Sequence, residues 1–289
     1  MTGAKVALIG DLHSSWDAAD AKYFNGSDYE LLLFTGDLGS GQRRNGVELA
    51  RSLSRLNRPT LVMLGNNDAT EHARISAELS YQQGRASLLQ GTPSWRPGLV
   101  NVRPCGFDAH RFTLGGLDLT VVCGRPFAMG NGELSYPEAL RASYGVGSAA
   151  ESSARLKALV DAAETERLIF LAHNGPRGLG AGADAPWGRD FHPEAGDWGD
   201  ADLADAVEHA RATGRRVLAV VAGHMHWTLR SGGARRWQLE RDGTLYVNAA
   251  RVPRILEPAG IKTHHHVELL LTKAGARARE VALERRRDG

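Results

Sequence analysis

Five short apolar runs in this chain each lead straight into residues able to bind a metal ion. Val6-Ala7-Leu8-Ile9 leads to Gly10-Asp11-Leu12-His13, and Leu31-Leu32-Leu33-Phe34 to Thr35-Gly36-Asp37. Leu61 to Leu64 leads to Gly65-Asn66-Asn67-Asp68, Leu168 to Leu171 leads to Ala172-His173-Asn174, and Val217 to Val221 leads to Ala222-Gly223-His224-Met225-His226. The delivered groups are Asp11, His13, Asp37, Asn66, His173, His224 and His226. Carboxylate, imidazole and one amide oxygen form a donor set suited to Mn²⁺, Fe²⁺, Co²⁺ or Zn²⁺. In Asp11-x-His13 and His224-x-His226, alternate residues of an extended segment point the same way, which frees Leu12 and Met225 to face a core. Seven donors exceed one tetrahedral site and suit two ions with a carboxylate between them. The chemistry of such a pair is hydrolysis by a metal-bridging hydroxide available near neutral pH. Taken singly, a histidine at a strand end reads as a hydrogen-bonded structural residue, and Gly-Asp as a turn. Five pieces in one order, each closing an apolar run, are not explained that way.

Runs of four or five apolar residues suit strands covered on both faces. In layered α/β folds, ligand groups gather at the carboxyl ends of such strands. Helices fit between them. Asn45-Gly46-Val47-Glu48 has the form of a capping box, followed by Val47, Ala50 and Leu53 at helical spacing. Leu156, Leu159, Val160 and Ala163 make another stripe. Asp200 is expected to cap a helix with an inner face of Leu203, Ala206, Val207 and Ala210, ended by Gly214. Arg111 to Leu114, Gly115-Gly116 and Leu117 to Cys123 read as a β-hairpin. Thr263 to Leu271 and Arg277 to Leu283 are further strand candidates. This order predicts an α/β four-layer αββα sandwich, two mixed β-sheets flanked by helices. It is expected to form a single domain over 1–289, with a motif-bearing core at 5–250 and strands within 263–284 completing a sheet. The loop from Asn174 to Gly199 carries Trp187, Phe191 and Trp198, and a loop of that length and composition predicts a functional segment.

The bulk properties narrow the field. A composition of 42% hydrophobic and 24% charged residues supports a sizeable core, and a formal charge of +2 gives no field for polyanions. No basic stripe interleaved with aromatics marks a nucleic-acid surface. No signal-peptide pattern is present and no apolar stretch reaches the ~18 residues of a membrane span, so a cytoplasmic location is expected. Cys105 and Cys123 make neither a disulfide framework nor a zinc-ligand spacing, and are expected as buried thiols. The basic stretch Glu280 to Arg287 is expected to be a solvated end. In a strand, His264, His265 and His266 face alternately apart and cannot act as one cluster.

The ordered series Asp11-x-His13, Gly36-Asp37, Gly65-Asn66-x-Asp68, His173 and Gly223-His224-x-His226 resembles the calcineurin-like metallophosphoesterases over residues 6 to about 250. The resemblance implies the same four-layer fold and two divalent metals drawn from Mn²⁺, Fe²⁺ or Fe³⁺, Zn²⁺, Co²⁺ and Ni²⁺. It implies Asp11, His13 and His226 on one metal, Asn66, His173 and His224 on the other, and Asp37 as the bridge. Most members have a histidine where this chain has Asn67; that histidine meets the phosphoryl oxygen or leaving group, and Asp68 orients it. Asn67 can hydrogen-bond but cannot act as a general acid. The implied function is hydrolysis of a small phosphate ester, with diesters favoured over monoesters. A phosphatase of the same fold and a metal-poor binding or scaffold protein are the alternatives. Arg125, Arg177 and His192 are candidate substrate contacts, although exposed arginines and surface histidines, His72 included, are the plainer expectation. The substrate itself and the oligomeric state are left open by the sequence.

Overall fold

The computed structural model describes residues 3–41, 44–90, 101–192 and 194–286, without the side chains of 82–90 and 285–286. Strand β1 (Ala4–Ile9) shows how the layers arise. Val6 and Leu8 join one apolar cluster while Ala7 and Ile9 join another, and all four are buried. A strand with both faces covered needs apolar residues at every position, and the period-2 alternation sends them to two different cores. The same split divides Leu31 and Leu33 from Leu32 and Phe34 in β2 (Leu31–Phe34).

Helix α1 (Ala18–Gly26) follows β1, α2 (Gly46–Leu53) follows β2, and β3 (Thr60–Met63) leads through a 3₁₀ turn at Asn66–Glu71 into α3 (His72–Gln90). Then come β4 (Val102–Cys105) and the hairpin β5 (Ala109–Leu114) and β6 (Leu117–Cys123). Gly115 and Gly116 have φ of +53° and +76°, the two positive values that a two-residue type I′ turn requires. Helices α4 (Pro137–Tyr144) and α5 (Ala149–Ala162), β7 (Arg167–Leu171), α6 (Ala201–Ala212) and β8 (Arg216–Ala222) continue the chain. Strands β9 (Gln238–Arg241), β10 (Thr244–Asn248), β11 (Ile255–Leu256), β12 (Ile261–Thr272) and β13 (Gly275–Arg286) complete it.

One sheet runs β12-β1-β2-β3-β4, with β13 and β11 also paired to β12; the other runs β5-β6-β7-β8-β10-β9. In the first, β1, β2, β3 and β4 are parallel; in the second, β6, β7, β8 and β10 are parallel. Val6, Leu33, Met63, Val121, Leu171 and Val221 meet in the core between the sheets. The expected αββα sandwich is therefore the observed one.

Several local expectations are corrected by tertiary contacts. Asn45 precedes α2 without a side-chain cap; its Oδ1 instead accepts from Ser14 Oγ at 2.6 Å. Asp200 precedes α6, but its carboxylate is taken by Arg125 and Asn174. The basic stretch from Glu280 is solvated as expected, with Glu280, Ala282 and Glu284 exposed, but it is regular strand. It forms most of β13, in register with β12 from Ile261↔Arg286 to Thr272↔Gly275. Its alternating charges suit a strand at a sheet edge.

The three adjacent histidines of β12 part company as the strand alternation requires. His264 Nδ1 meets Asp20 Oδ1 at 3.0 Å, His265 packs on Trp227, and His266 Nε2 meets Tyr29 Oη at 2.8 Å. Asp20 also accepts from Arg254 Nη1 and Nη2 at 2.9 and 2.8 Å, and Arg254 reaches the Ser15 carbonyl at 2.8 Å. This buried node ties β12 to the segment that follows β1. Burial raises the Asp20 carboxyl, but His264 and Arg254 outweigh it and bring it down to about 2. Its stabilising contribution is therefore present above the ordinary value of 3.8 and is lost as pH falls toward about 2. Asp20→Asn strands the buried guanidinium and is expected to cost about 3 kcal/mol at neutral pH. Urea unfolding of both proteins across acid pH checks this, and the gap between them should close below the ordinary carboxyl range.

Candidate metal centre

Parallel strands with their carboxyl ends on one side bring the five motifs together. Asp11 lies two residues beyond β1, Asp37 three beyond β2, Asn66 three beyond β3, His173 two beyond β7 and His224 two beyond β8. The first three come from one sheet and the last two from the other, so the donors converge where the inter-sheet core opens. Asp11, Asp37 and His173 are almost wholly buried, whereas Asn66, His13, His224 and His226 are partly exposed. The backbone is left-handed at His13 (φ +41°), Asp37 (+48°) and His224 (+68°). Side chains other than glycine rarely take such values, and they concentrate where a site holds its residues against local preference.

Two groups of donors lie within 4.8 Å, Asp11 with His13 and His226, and Asp11 with Asp37 and His173. The Asp37 carboxylate stands between two histidines. Its Oδ1 is 3.5 Å from His173 Nε2, and its Oδ2 is 3.5 Å from His13 Nε2. His13 Nε2 and His226 Nε2 are 3.1 Å apart, and His226 Nε2 is 3.8 Å from Asp11 Oδ2. On the other side, His173 Nε2 is 2.9 Å from Asn66 Oδ1. His224 packs edge-on against His173 with ring centroids 5.1 Å apart.

The hydrogen bonds around this group suit a cation. His173 Nδ1 donates to the Thr35 carbonyl at 2.7 Å, which turns Nε2 toward two oxygen atoms, Asn66 Oδ1 and Asp37 Oδ1. Such an outer partner is how a ligating histidine has its tautomer fixed. Burial lowers the proton affinity of His173, but Asp37 and Asp11 outweigh it, so the pocket draws positive charge. Burial also raises the Asp37 carboxyl, and His173 and His13 more than offset this, holding it below its ordinary value. His224 is pushed down to about 3 by burial and by His173, and His226 is lowered by burial; both are neutral imidazoles near neutral pH, the form that binds metals. The residues present thus fit divalent metal ions.

The glycines of the motifs are required by this crowding. A Cβ on Gly65 would stand 2.1 Å from Asp37 Oδ1, and one on Gly223 would stand 2.1 Å from Asp11 Oδ1.

The corner at Asn67 differs from expectation in its contacts. Its backbone N–H donates to Asp37 Oδ1 at 2.9 Å and its Nδ2 to Asp37 Oδ2 at 2.7 Å. Both donors hold the central carboxylate. Asp68 accepts from the backbone N–H groups of Gly65 (2.9 Å) and Leu38 (3.0 Å). It braces the backbone of two motif loops, where the resemblance implied that it orients the residue at 67. Burial, with the charge of Asp37, pushes the Asp68 carboxyl up to about 7.

A cleft of about 510 Å³ opens beside His224 and His226, lined by Met129, Glu133, Phe191, Trp198 and Arg230 among others. Trp198 Nε1 donates to the Met129 carbonyl at 2.6 Å, which fastens the aromatic loop to the loop after β6. Neither Arg125, Arg177 nor His192 lines it. Arg125 is buried, with Nη2 on Asp200 at 2.6 Å and Nε on Asp202 at 2.8 Å, and is a structural ion pair, not an exposed phosphate ligand. Arg177 borders a different groove beside Glu208 and Tyr246, and His192 is exposed. His72 bridges the Ala69 carbonyl and Ser143 Oγ. The cleft residues Met129 and Glu133 gave no sequence signal, whereas Phe191 and Trp198 stood out as aromatics in a long loop.

A family model described as calcineurin-like phosphoesterase matches residues 4–228. No curated protein matches the chain. A solved crystal structure 14% identical superposes with a TM-score of 0.56, covering 96% of this chain and 99% of its own. Vps29 from Cryptosporidium parvum is 11% identical with a TM-score of 0.32, over 99% of this chain and 100% of its own. A single mutant of Vps29 from Entamoeba histolytica is 12% identical with a TM-score of 0.31, over 96% and 99%.

Proposed function

Because the chain belongs to the calcineurin-like phosphoesterase family, we propose that it is a two-metal phosphoesterase that favours phosphodiesters over monoesters. The observation that carries this reading is the Asp37 carboxylate, with one oxygen turned to His173 and the other to His13. Asp11, His13 and His226 would hold one divalent ion, Asn66, His173 and His224 the other, and Asp37 both. Ions held there supply Lewis-acid charge to the phosphoryl oxygens and make water acidic enough to deprotonate near neutral pH. The protein's own part is placement. Thr35 fixes His173, the Asp11 carboxylate is fixed by Thr35 Oγ1 and the His224 N–H, and Asn67 fixes Asp37.

The diester preference rests on charge and on proton supply. A monoester is nearly a dianion at neutral pH and its poor leaving groups need a proton. Asn67 supplies none, and both its donors are engaged with Asp37. Among the described residues, the neighbouring cleft is lined by one guanidinium, Arg230, and by the carboxylates of Glu133 and Asp190. That lining suits a singly charged ester with an uncharged second arm better than a dianion. No helix among the described residues is long and apolar enough to cross a membrane, and a small phosphate ester acted on in the cytoplasm fits the reading.

The direct test is a panel of an alkyl monoester, an alkyl diester and a cyclic nucleotide, each assayed with Mn²⁺, Fe²⁺, Co²⁺, Ni²⁺ and Zn²⁺ after chelation. Metal-dependent turnover, faster on a diester than on the monoester, is expected. No turnover with any ion, despite metal binding, would remove the enzymatic reading.

A further inference from the structure

Away from the seven motif residues, a second group of donors converges at the open edge between the sheets. Hairpin β5–β6 pairs His110 with Val121. Val121 and Cys123 are two apart on β6 and both join the inter-sheet core. His110, as the cross-strand partner of Val121, shares that face, within diagonal reach of Cys123. Cys105 ends β4, in the other sheet, and joins the same core. The turn between β4 and β5 carries Asp108, whose carbonyl accepts from the Cys123 N–H at 2.8 Å.

One ligand atom each of Asp108, His110 and Cys123 lies within 4.8 Å of the others. The Cys105 and Cys123 thiols are buried close enough for each to perturb the other. His110 Nε2 is 3.1 Å from Asp108 Oδ2, yet it is buried and makes no well-aligned hydrogen bond. The Asp108 carboxylate is the partner the structure gives that nitrogen, and the contact is poorly aligned for a hydrogen bond. Along the chain the residues read Cys105-x₂-Asp108-x-His110-x₁₂-Cys123, three donors in a short knuckle and one distant. The cysteines alone have no zinc spacing; the aspartate and histidine that complete it are recognisable only once the hairpin is formed.

We propose that Cys105, Asp108, His110 and Cys123 form a structural zinc site that staples β4 of one sheet to the β5–β6 hairpin of the other. Thiolate and imidazole donors select Zn²⁺ over the hard ions, and four such donors close a tetrahedral structural site. As each Zn–S bond forms, the thiol gives its proton to water. Burial pushes both thiols above their ordinary value, so without a cation they stay protonated at neutral pH. Two thiolates and a carboxylate around Zn²⁺ leave one net negative charge, and the Arg103 guanidinium lies near enough to Asp108 to act on it. The staple closes just before Gly124, where the loop begins that runs to Met129 and its contacts with Trp198 and His224.

The test uses the full chain purified from zinc-containing medium, as wild type, Cys123→Ser, His110→Ala and Asp37→Ala. Elemental analysis after mild chelation should find a tightly held zinc in wild type and in Asp37→Ala. His110→Ala removes a ligand and should weaken zinc binding by more than the roughly 10–100-fold that loss of an outer partner costs, and Cys123→Ser should lose the ion. Reconstitution with Co²⁺ gives a second readout, because only thiolate ligands produce the near-ultraviolet charge-transfer band. That band should be present in wild type and Asp37→Ala and lost in Cys123→Ser. If Cys123→Ser fails to fold, His110→Ala decides, since it alters a side chain at the rim, 14% exposed. Absence of the band from wild type, or zinc content and affinity unchanged in His110→Ala, would overturn the proposal.

Discussion

Asp37→Ala is expected to abolish measurable phosphoesterase turnover and to empty the motif site of metal while leaving the fold intact. The carboxylate is buried and central, with His13 and His173 on opposite oxygens and both donors of Asn67 fastened to it. Its removal takes away the carboxylate that faces both His13 and His173. It also leaves the Asn67 amide and the cationic character of His173 without their counterpart. Losing the Lewis-acid contribution of a bound ion is worth several kcal/mol, so a fall on the order of 10³-fold or more is expected. Three measurements separate this from unfolding: turnover, metal content and the circular-dichroism melt. Near-normal turnover would remove Asp37 from the centre of the site.

Asn67→His is expected to raise kcat/KM for a monoester relative to a diester by about 10²-fold, the low end of what a placed general acid contributes. The backbone N–H of residue 67 keeps its bond to Asp37 Oδ1 whatever the side chain. The amide bond to Asp37 Oδ2 is lost, and an imidazole takes its place beside the central carboxylate. A cationic ring there offsets the second charge of a monoester and can hand a proton to its leaving group. A diester with a good leaving group gains little from either. The monoester rate of the variant should therefore acquire an acidic-side plateau and fall as pH rises through the histidine range, while the diester profile stays close to wild type. An unchanged ratio would show that charge and proton supply at position 67 do not set the preference.

The metal motifs were legible in the sequence because two simple regularities coincide. Apolar runs mark strands buried on both faces, and a donor directly after such a run falls at the same edge of the sheet as its counterparts. Asp11, Asp37, Asn66, His173 and His224 follow this rule in both sheets. Residues whose partners lie far along the chain were not legible. Arg125 followed a strand, like the metal motifs, but its partners Asp200 and Asp202 lie 75 and 77 residues downstream. Asn45 and Asp200 had the chemistry of helix caps, and each was claimed by a distant group, Ser14 and Arg125, before its own helix. Local motifs of this kind describe what a side chain can do, and tertiary competition decides what it does. The cleft lining was hidden for a related reason: Met129 and Glu133 sit in a loop whose path is set by Trp198 and by the Phe127 N–H bond to the Leu64 carbonyl.

In the proposed centre one carboxylate, Asp37, serves two ions. Crystals of the chelated protein soaked in Mn²⁺ and measured at the manganese absorption edge test it directly. Two anomalous peaks about 3.5 to 4 Å apart are expected on either side of Asp37, one bounded by Asp11, His13 and His226, the other by Asn66, His173 and His224. A single peak, or two peaks that do not share Asp37, would contradict the two-metal centre.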